Sequence, residues 1–219
     1  MDACRIVLVR HGESEWNAAG ILQGHLGPGL TPLGRAQAEA TADLLVRTRA
    51  EPALIARSDL PRVVETAAPL EQRYPHVEVV LDPRLREVDL GTWAGRTRAQ
   101  VAETEPEVLA AWDRGEDVRR GGGETMAEVQ ARMVAALADL ARRAPGRTVF
   151  VFSHAGPIRV AVAATLGLAA RTRTLAEVAN CAVTEVEHFG DSSRLVSYNS
   201  VDHLAELATV GAVDDRSVG

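Results

Sequence analysis

An arginine and a histidine stand side by side immediately after the first apolar stretch of the chain. Residues 5–9 form a short run rich in β-branched residues, typical of a buried strand, and the run ends in Arg10, His11 and Gly12. Ligands bind at the carboxyl ends of strands in open α/β sheets, and a buried arginine beside a histidine needs an anionic or acidic partner. The stretch therefore predicts an oxyanion or phosphate pocket, with Gly12 allowing close backbone approach. The plainer alternative for His11 is a hydrogen-bonded histidine at a strand end.

A second histidine repeats this arrangement later in the chain. Residues 148–153 predict another buried strand, which ends in His154, Ala155 and a glycine. A helix is predicted to follow over about 157–166. Two histidines at the carboxyl ends of two strands favour a functional role for both.

Acidic residues lie in an apolar setting between residues 82 and 96. Glu87 and Asp89 alternate there with leucine and valine residues and are followed by Trp93. This pattern predicts partly buried carboxylates beside an aromatic ring, a setting that suits general acid chemistry. The alternative is that both are solvated acids of a surface loop.

Strands and helices alternate along the chain and must position these side chains. Arg62 falls in the first turn of a predicted helix, because Pro61 is tolerated only there. Without other information, Arg62 would be an exposed arginine on an amphipathic helix. The alternation predicts a three-layer αβα sandwich with a mostly parallel central sheet. The other predicted strands cover 53–57, 77–81, 182–188 and 195–198, and the long helices cover 31–48, 58–73 and 125–143.

Two capping boxes mark helix starts in the middle of the chain. Thr97 and Thr125 are each followed three residues later by a glutamine or glutamate. A small helical insertion is expected over about 97–124, too short to form an independent domain. The chain is interpreted as one domain over 1–210 with a polar, frayed tail over 211–219.

Composition excludes several function classes. The net charge of −6 argues against a nucleic-acid-binding protein, and no apolar run is long enough for a membrane span. The chain has no lysine, and its 24 lysine-or-arginine positions are all arginine. An anion bound by one of these cationic side chains must therefore be bound by arginine.

Cys4 and Cys181 predict buried free thiols in a reducing compartment, the cytoplasm, and no metal-ligand spacing is present.

Five short motifs, in this order, resemble those of the histidine phosphatase superfamily, which has the phosphoglycerate mutase-like fold. The resemblance spans about residues 5–200. The motifs are Arg10–Ser14 with Asn17, Ser58–Arg62 with Thr66 and Ala67, Leu85–Glu87 with Gly91 and Trp93, Gly123–Thr125, and Ser153–Gly156.

The resemblance implies a reaction and assigns roles in it. His11 would be the nucleophile and form a phosphohistidine, while Glu87 would protonate the leaving oxygen and then deprotonate the attacking water. Arg10, Arg62 and His154 would hold the phosphoryl oxygens.

The resemblance also implies supporting contacts. Asn17 would line the phosphate site, and the backbone N–H of Ala155 would be an extra donor to the phosphoryl group. Neither a metal ion nor another cofactor is implied.

A glycine-rich loop over residues 20–29 resembles the family's substrate-side loop. Gln23 and Gly24 fit the family pattern, and His25 is a candidate substrate contact. Many members carry an acidic residue where this chain has a Gly-Pro-Gly sequence at 27–29. The loop therefore predicts where the substrate binds without identifying it.

Three functions are compatible with these residues. The first is a metal-independent phosphomonoesterase acting on a small phosphorylated metabolite. The second is a cofactor-dependent phosphoglycerate mutase. Mutases of this family resemble one another in a longer, lysine-containing segment after the motif that contains Glu87. The third is a phospho-ligand binding module without turnover.

The short segment over 92–124 and the absence of lysine favour the phosphatase over the mutase. The only partner expected is a small phosphate ester, and the sequence leaves a homodimer open.

Overall fold

The computed structural model describes residues 2–170, 175–190 and 192–207. The strands are β1 (Cys4–Arg10), β2 (Leu54–Arg57), β3 (Glu78–Leu81), β4 (Thr148–Ser153), β5 (Val183–Phe189) and β6 (Ser192–Ser200). They form one six-stranded sheet in the order β3-β2-β4-β1-β5-β6, in which β3, β2, β4 and β1 run parallel and the last two pairings are antiparallel. The mostly parallel sheet is thereby confirmed.

Helices cover both faces of the sheet, as the alternation along the chain predicts. The helices are α1 (Glu15–Ala18), α2 (Pro32–Thr48), α3 (Pro61–Arg73), α4 (Arg98–Thr104), α5 (Pro106–Asp113), α6 (Met126–Arg143) and α7 (Ala155–Thr165), with short 3-10 turns at Pro83–Leu85, Gly91–Trp93, Arg120–Gly122 and Asp202–Leu204. In β1, Ile6 and Leu8 pack with one helix pair, α6 and α7, whereas Val7 and Val9 pack with α2 and α3 on the opposite face. This alternation follows from the two-residue period of a strand.

Side-chain caps start the helices at the predicted threonines. The hydroxyls of Thr31, Thr97 and Thr125 each accept the backbone N–H three residues on, and the last two form complete capping boxes. Each cap satisfies an N–H group that has no partner inside the helix.

Some predicted boundaries are wrong. Helix α3 begins at Pro61 rather than at residue 58, because the proline occupies the first helical position. Helix α7 begins at Ala155, two residues earlier than predicted. The predicted strand over 182–188 is observed as β5 from Val183, and Cys181 precedes it with a φ of 54°. Both cysteines are free and buried, as expected.

The predicted tail over 211–219 lies outside the described residues. Among those that are described, no helix is both long enough and apolar enough to cross a membrane.

Strand register brings three side chains to one edge of the sheet. Arg10 pairs with Ser153 across the parallel β1 and β4 strands, so His11 and His154 leave the sheet at neighbouring points. Ser58 follows the adjacent strand β2, and its N–H donates to the Phe152 carbonyl at 3.1 Å. The carboxyl ends of three parallel strands therefore carry polar groups at one place.

Candidate active site

A cavity of about 220 Å³ opens at this edge of the sheet. Its walls come from the strand ends, the loop over 20–29, the segment over 82–96 that carries Glu87 (the acid segment), the turn before α6 and the start of α7. Polar and charged lining residues are Arg10, His11, Asn17, Gln23, Arg62, Glu87, Arg120, Arg159 and Glu177; the apolar and glycine ones are Ile21, Leu22, Gly24, Val88, Leu90, Trp112, Met126, Ala155 and Gly156.

His11 has one ring nitrogen in a hydrogen bond, and the other makes no hydrogen bond to the described residues. Its Nδ1 lies 2.7 Å from the carbonyl oxygen of Gly12. A carbonyl only accepts hydrogen bonds, so Nδ1 carries the proton and Nε2 keeps its lone pair. Burial, followed by the charges of Arg10 and Arg62, holds the pKa of His11 well below its ordinary value. The ring is thus a neutral imidazole with an available lone pair.

His154 lies behind His11, with 5.2 Å between the ring centroids. Its Nε2 is 3.0 Å from the hydroxyl oxygen of Ser58, and its buried Nδ1 has no partner among the described residues. The ring does not line the cavity. Burial and the charge of Arg62 hold its pKa well below the ordinary histidine value. In this arrangement the imidazole is neutral, so the arginines supply the positive charge.

Arg62 and Arg10 are buried cations oriented by backbone carbonyls. Arg62 donates to the carbonyls of Leu26 at 2.9 Å and Gly24 at 2.7 Å, and Arg10 donates to that of Val178. Burial lowers the pKa of Arg62 to about 10, so the side chain stays charged at neutral pH. The expectation that Arg62 is exposed in the absence of other information is wrong: its exposed fraction is 1%.

Glu87, rather than Asp89, reaches the cavity. Its Oε1 accepts the N–H of Val88 at 2.9 Å, and its Oε2 lies 3.5 Å from the N–H nitrogen of Gly156. A Cβ at Gly156 would lie only 2.4 Å from Oε1, so the glycine makes room for the carboxylate. Asp89 instead accepts the N–H of Gly91 at 2.9 Å.

Arg132 on α6 fixes the backbone of the acid segment. It donates to the carbonyls of Arg84, Arg86 and Glu87 at 2.6 to 2.8 Å. It also pairs with Glu124, whose carboxylate accepts the N–H of Asp89. Through Glu124, the Gly123–Thr125 motif thereby holds the backbone that carries Glu87.

Asn17 and Ala155 present N–H groups at the cavity wall. The Oδ1 of Asn17 accepts from the Ser14 backbone at 3.2 Å and from the side chain of Asn180 at 3.4 Å. Its amide NH₂ is therefore the group left to donate. Ala155 begins α7, where backbone N–H groups have no partner within the helix.

The loop over 20–29 closes one side of the cavity. Gln23 and Gly24 line it, and the buried Oε1 of Gln23 has no partner among the described residues. His25 does not line the cavity; its Nε2 lies 2.8 Å from the carbonyl oxygen of Glu87. His25 thus contacts the backbone that carries the acid.

Sequence reasoning missed several residues of the site. Arg120, Arg159 and Trp112 line the cavity, and Ser58 contacts His154. Arg159 lies one helical turn beyond Ala155, and this spacing was a signal that could have found it. Arg120 carried no such signal, because its position at the cavity depends on how the 3-10 turn packs.

No cluster of three or more histidine, cysteine, aspartate or glutamate side chains in the described ranges could hold a metal ion.

Comparison with known proteins places this geometry among phosphatases. The sequence profile of the histidine phosphatase superfamily (branch 1) matches residues 6–201. Glucosyl-3-phosphoglycerate phosphatase of Mycobacterium tuberculosis is 38% identical over 176 residues, covering 77% of this chain and 78% of that protein. The metal-independent phosphoserine phosphatase of Arabidopsis thaliana is 32% identical over 209 residues, covering 94% and 85%. A solved mycobacterial glucosyl-3-phosphoglycerate phosphatase in complex with VO3 matches with a TM-score of 0.81 at 34% identity, covering 90% and 99%.

Proposed function

Because this chain belongs to the histidine phosphatase superfamily and is a phosphatase, we propose that it hydrolyses small phosphomonoesters through a phosphohistidine at His11, without a metal ion. The observation that carries the proposal is the hydrogen bond between the Nδ1 of His11 and the Gly12 carbonyl. It leaves Nε2 unprotonated at the cavity, and an unprotonated imidazole nitrogen is a nucleophile.

In the first step, the Nε2 of His11 attacks phosphorus and the ester P–O bond breaks. Glu87 gives its proton to the leaving oxygen, so the alcohol departs neutral. Arg10 and Arg62 stabilise the charge on the equatorial oxygens, with the N–H groups of Asn17 and Ala155 as further donors. The bound dianion favours the protonated form of His154, which then adds a positive charge.

In the second step, water replaces the alcohol beside the phosphohistidine. Glu87, now a carboxylate, takes a proton from this water as its oxygen attacks phosphorus. The P–N bond breaks, inorganic phosphate leaves, and Nε2 of His11 regains its lone pair. The same residues therefore complete a cycle without a metal ion or another cofactor.

The relatives support a small metabolite as the substrate. Two of them are named for glucosyl-3-phosphoglycerate and phosphoserine, which are both small phosphorylated metabolites. A cavity of about 220 Å³ suits such a molecule better than a folded phosphoprotein. The Gly-Pro-Gly departure at 27–29 lies in the loop that would contact the leaving group.

The test is hydrolysis of a phosphomonoester panel in EDTA, combined with rapid quenching in alkaline detergent to trap labelled enzyme. We expect phosphate release by wild type and an acid-labile label on His11. The His11→Asn variant should lose both. His76→Ala is the matched control, since that exposed histidine pairs with Glu51 away from the cavity, and it should behave as wild type.

Each alternative function has its own signature in these assays. Complete inactivity of wild type on the panel, or full activity in His11→Asn, would overturn the phosphatase proposal. A label on His11 that never reaches water would indicate a binding module instead. Faster interconversion of 2- and 3-phosphoglycerate than phosphate release, on addition of 2,3-bisphosphoglycerate, would indicate a mutase.

A further inference from the structure

His25 joins the loop over 20–29 to the residue that carries the acid of the proposed reaction. Its Nε2 lies 2.8 Å from the carbonyl oxygen of Glu87. A carbonyl oxygen only accepts hydrogen bonds, so this ring nitrogen carries the proton and donates. The ring is partly buried and does not line the cavity. His25 is therefore placed to affect Glu87 without contacting a substrate.

The carbonyl that His25 contacts belongs to the peptide group between Glu87 and Val88. The N–H of the same peptide group donates to the Oε1 of Glu87 at 2.9 Å. Because a peptide group is planar and trans, its C=O and N–H point in opposite directions and turn together. Fixing the carbonyl therefore fixes the direction of the N–H that holds the carboxylate.

The carboxylate of Glu87 is held more loosely on its other side. Its Oε2 lies 3.5 Å from the backbone nitrogen of Gly156, which is longer than an ordinary hydrogen bond. The contact to the Val88 N–H is the shorter of these two contacts. The orientation of the peptide group between Glu87 and Val88 therefore decides where the carboxylate lies.

Two donors from different segments hold the Glu87 carbonyl. Arg132 on α6 donates to it at 2.8 Å, and His25 donates to it from the loop. The guanidinium of Arg132 is itself fixed, because it pairs with Glu124. Removing the His25 ring thus leaves the peptide group with one donor, and we expect a partial loss of orientation.

Arg62 fixes the backbone on both sides of His25. It donates to the carbonyl of Gly24 at 2.7 Å and to that of Leu26 at 2.9 Å. In the proposed reaction, Arg62 also stabilises the phosphoryl oxygens. A continuous path of hydrogen bonds therefore leads from the phosphoryl site through the loop to the acid.

We propose that His25 is a positioning residue for Glu87. By donating to the Glu87 carbonyl, it orients the peptide group that directs the carboxylate toward the leaving oxygen. The same hydrogen bond ties the acid to the loop that orients Arg62, and so keeps a fixed spacing between proton donor and phosphoryl group. This inference rests on the proposed function, since that proposal assigns the proton transfer to Glu87.

The experiment measures how kcat/KM depends on the leaving group across alkyl and aryl phosphates. An alkyl leaving group needs the proton of Glu87, whereas p-nitrophenolate departs without one. His25→Ala should lower kcat/KM by about ten-fold for alkyl phosphates and by about two-fold or less for p-nitrophenyl phosphate, as for loss of one hydrogen bond that orients the acid. A merely structural role would lower both equally.

Further substitutions separate the hydrogen bond from packing. His25→Phe keeps a ring without an N–H group and should match His25→Ala; wild-type behaviour of this variant would assign the effect to packing and overturn the proposal. His25→Gln offers an amide N–H and should retain more alkyl phosphate hydrolysis. His76→Ala is the matched control, since that exposed histidine pairs with Glu51, and it should leave both rates unchanged. Thermal unfolding checks that each variant is folded.

A double-mutant cycle tests whether His25 acts through Glu87. In the Glu87→Gln background, His25→Ala should cause no further loss on alkyl phosphates, because the side chain that it positions no longer transfers a proton. Equal losses in the two backgrounds would show that the residues act independently, and would overturn the positioning role.

The outcomes separate this inference from the proposed function. If hydrolysis depends on His11 but His25→Ala keeps the wild-type leaving-group dependence, the positioning role alone is overturned. If wild type hydrolyses no ester, the proposed function fails, and NMR titration of the Val88 amide decides the positioning of the carboxylate. That amide should shift as Glu87 ionises; a smaller shift in His25→Ala supports the positioning, and an identical shift overturns it.

Discussion

The two histidines at the sheet edge share nearly everything except their hydrogen bonds. Both follow paired positions on parallel strands, both are buried, and burial is the first cause of the low pKa of each. His11 meets a carbonyl at Nδ1, whereas His154 meets the hydroxyl of Ser58 at Nε2. A carbonyl fixes the proton on one nitrogen, but a hydroxyl donates or accepts.

In the proposed function, this difference separates a nucleophile from a supporting group. His11 has one nitrogen fixed in the unprotonated state at the cavity wall, while His154 does not line the cavity and, in that proposal, gains a proton when a dianion binds. Strand register placed two equivalent side chains side by side, and one hydrogen-bond partner for each made them chemically different.

Exchanging the two rings for amides gives the largest expected contrast. His11→Asn should lower kcat by at least about 10⁴-fold, because no nucleophile remains. His154→Asn should lower it by roughly 10² to 10³-fold, as for loss of one transition-state donor, and should still form the labelled intermediate. Steady-state kinetics combined with trapping of the label in alkaline detergent measures both effects. A label that disappears in His154→Asn and persists in His11→Asn would reverse the two assignments.

The glycines that follow the histidines should respond differently to alanine. A Cβ at Gly156 would lie 2.4 Å from the carboxylate of Glu87, whereas one at Gly12 would lie 2.5 Å from the backbone oxygen of Gly34. Gly156→Ala should lower kcat/KM for alkyl phosphates by roughly 10²-fold through the displaced acid. Gly12→Ala should cost about 1 to 3 kcal/mol of stability.

Two assays distinguish these glycine effects. p-Nitrophenyl phosphate, whose leaving group needs no proton, should be hydrolysed by Gly156→Ala with a much smaller loss than alkyl phosphates. Chemical denaturation should show the stability loss for Gly12→Ala only. Equal losses on both substrates would argue that Gly156 does not act through Glu87.

Removing the hydroxyl that contacts His154 should have a smaller effect. Ser58→Ala leaves the Nε2 of a buried imidazole without its partner, so we expect kcat to fall by about three- to ten-fold. Because the ring is less well held, the pH dependence of kcat should shift as well. A merely structural role would lower stability and leave that pH profile in place.

Acid should destabilise the fold through both rings. The pKa of each is lowered in the folded state, so below about pH 6.5 the unfolded chain binds more protons. Stability contributed above that pH is therefore lost as pH falls toward the folded-state pKa, by up to about 1.4 kcal/mol per pH unit for each histidine. Urea denaturation of wild type and of His154→Asn between pH 7 and 5 should give a shallower slope for the variant.

Local patterns predicted the order of elements well. The β1 and β4 strands end where the apolar runs end, and Thr31, Thr97 and Thr125 cap the helices that they were expected to start. These signals depend on neighbours in the chain, so the sequence carries them directly. The predicted start of α7 was wrong by two residues because the helix continues back through Ala155 and Gly156.

Other features depend on contacts between distant segments. His25 was a candidate substrate contact, but its Nε2 contacts the Glu87 carbonyl and the residue does not line the cavity. For Arg62, the helix pattern alone favoured a surface arginine and only the family resemblance placed it at the phosphoryl group; its hydrogen bonds to two carbonyls of the loop over 20–29 were not predicted. Neither contact leaves a pattern in the local sequence.

By itself, the sequence determined the strand and histidine units, the helix caps and the resemblance to one superfamily, because each depends on residue types at short spacing. The tertiary structure alone decided which nitrogen of His11 is free, that His25 contacts the Glu87 carbonyl and does not line the cavity, and that Arg120 lies beside Trp112 with no ion-pair partner in the described part of the chain. These outcomes are set by the packing of segments far apart in the chain, where a shift of one residue would change which side chain enters the site.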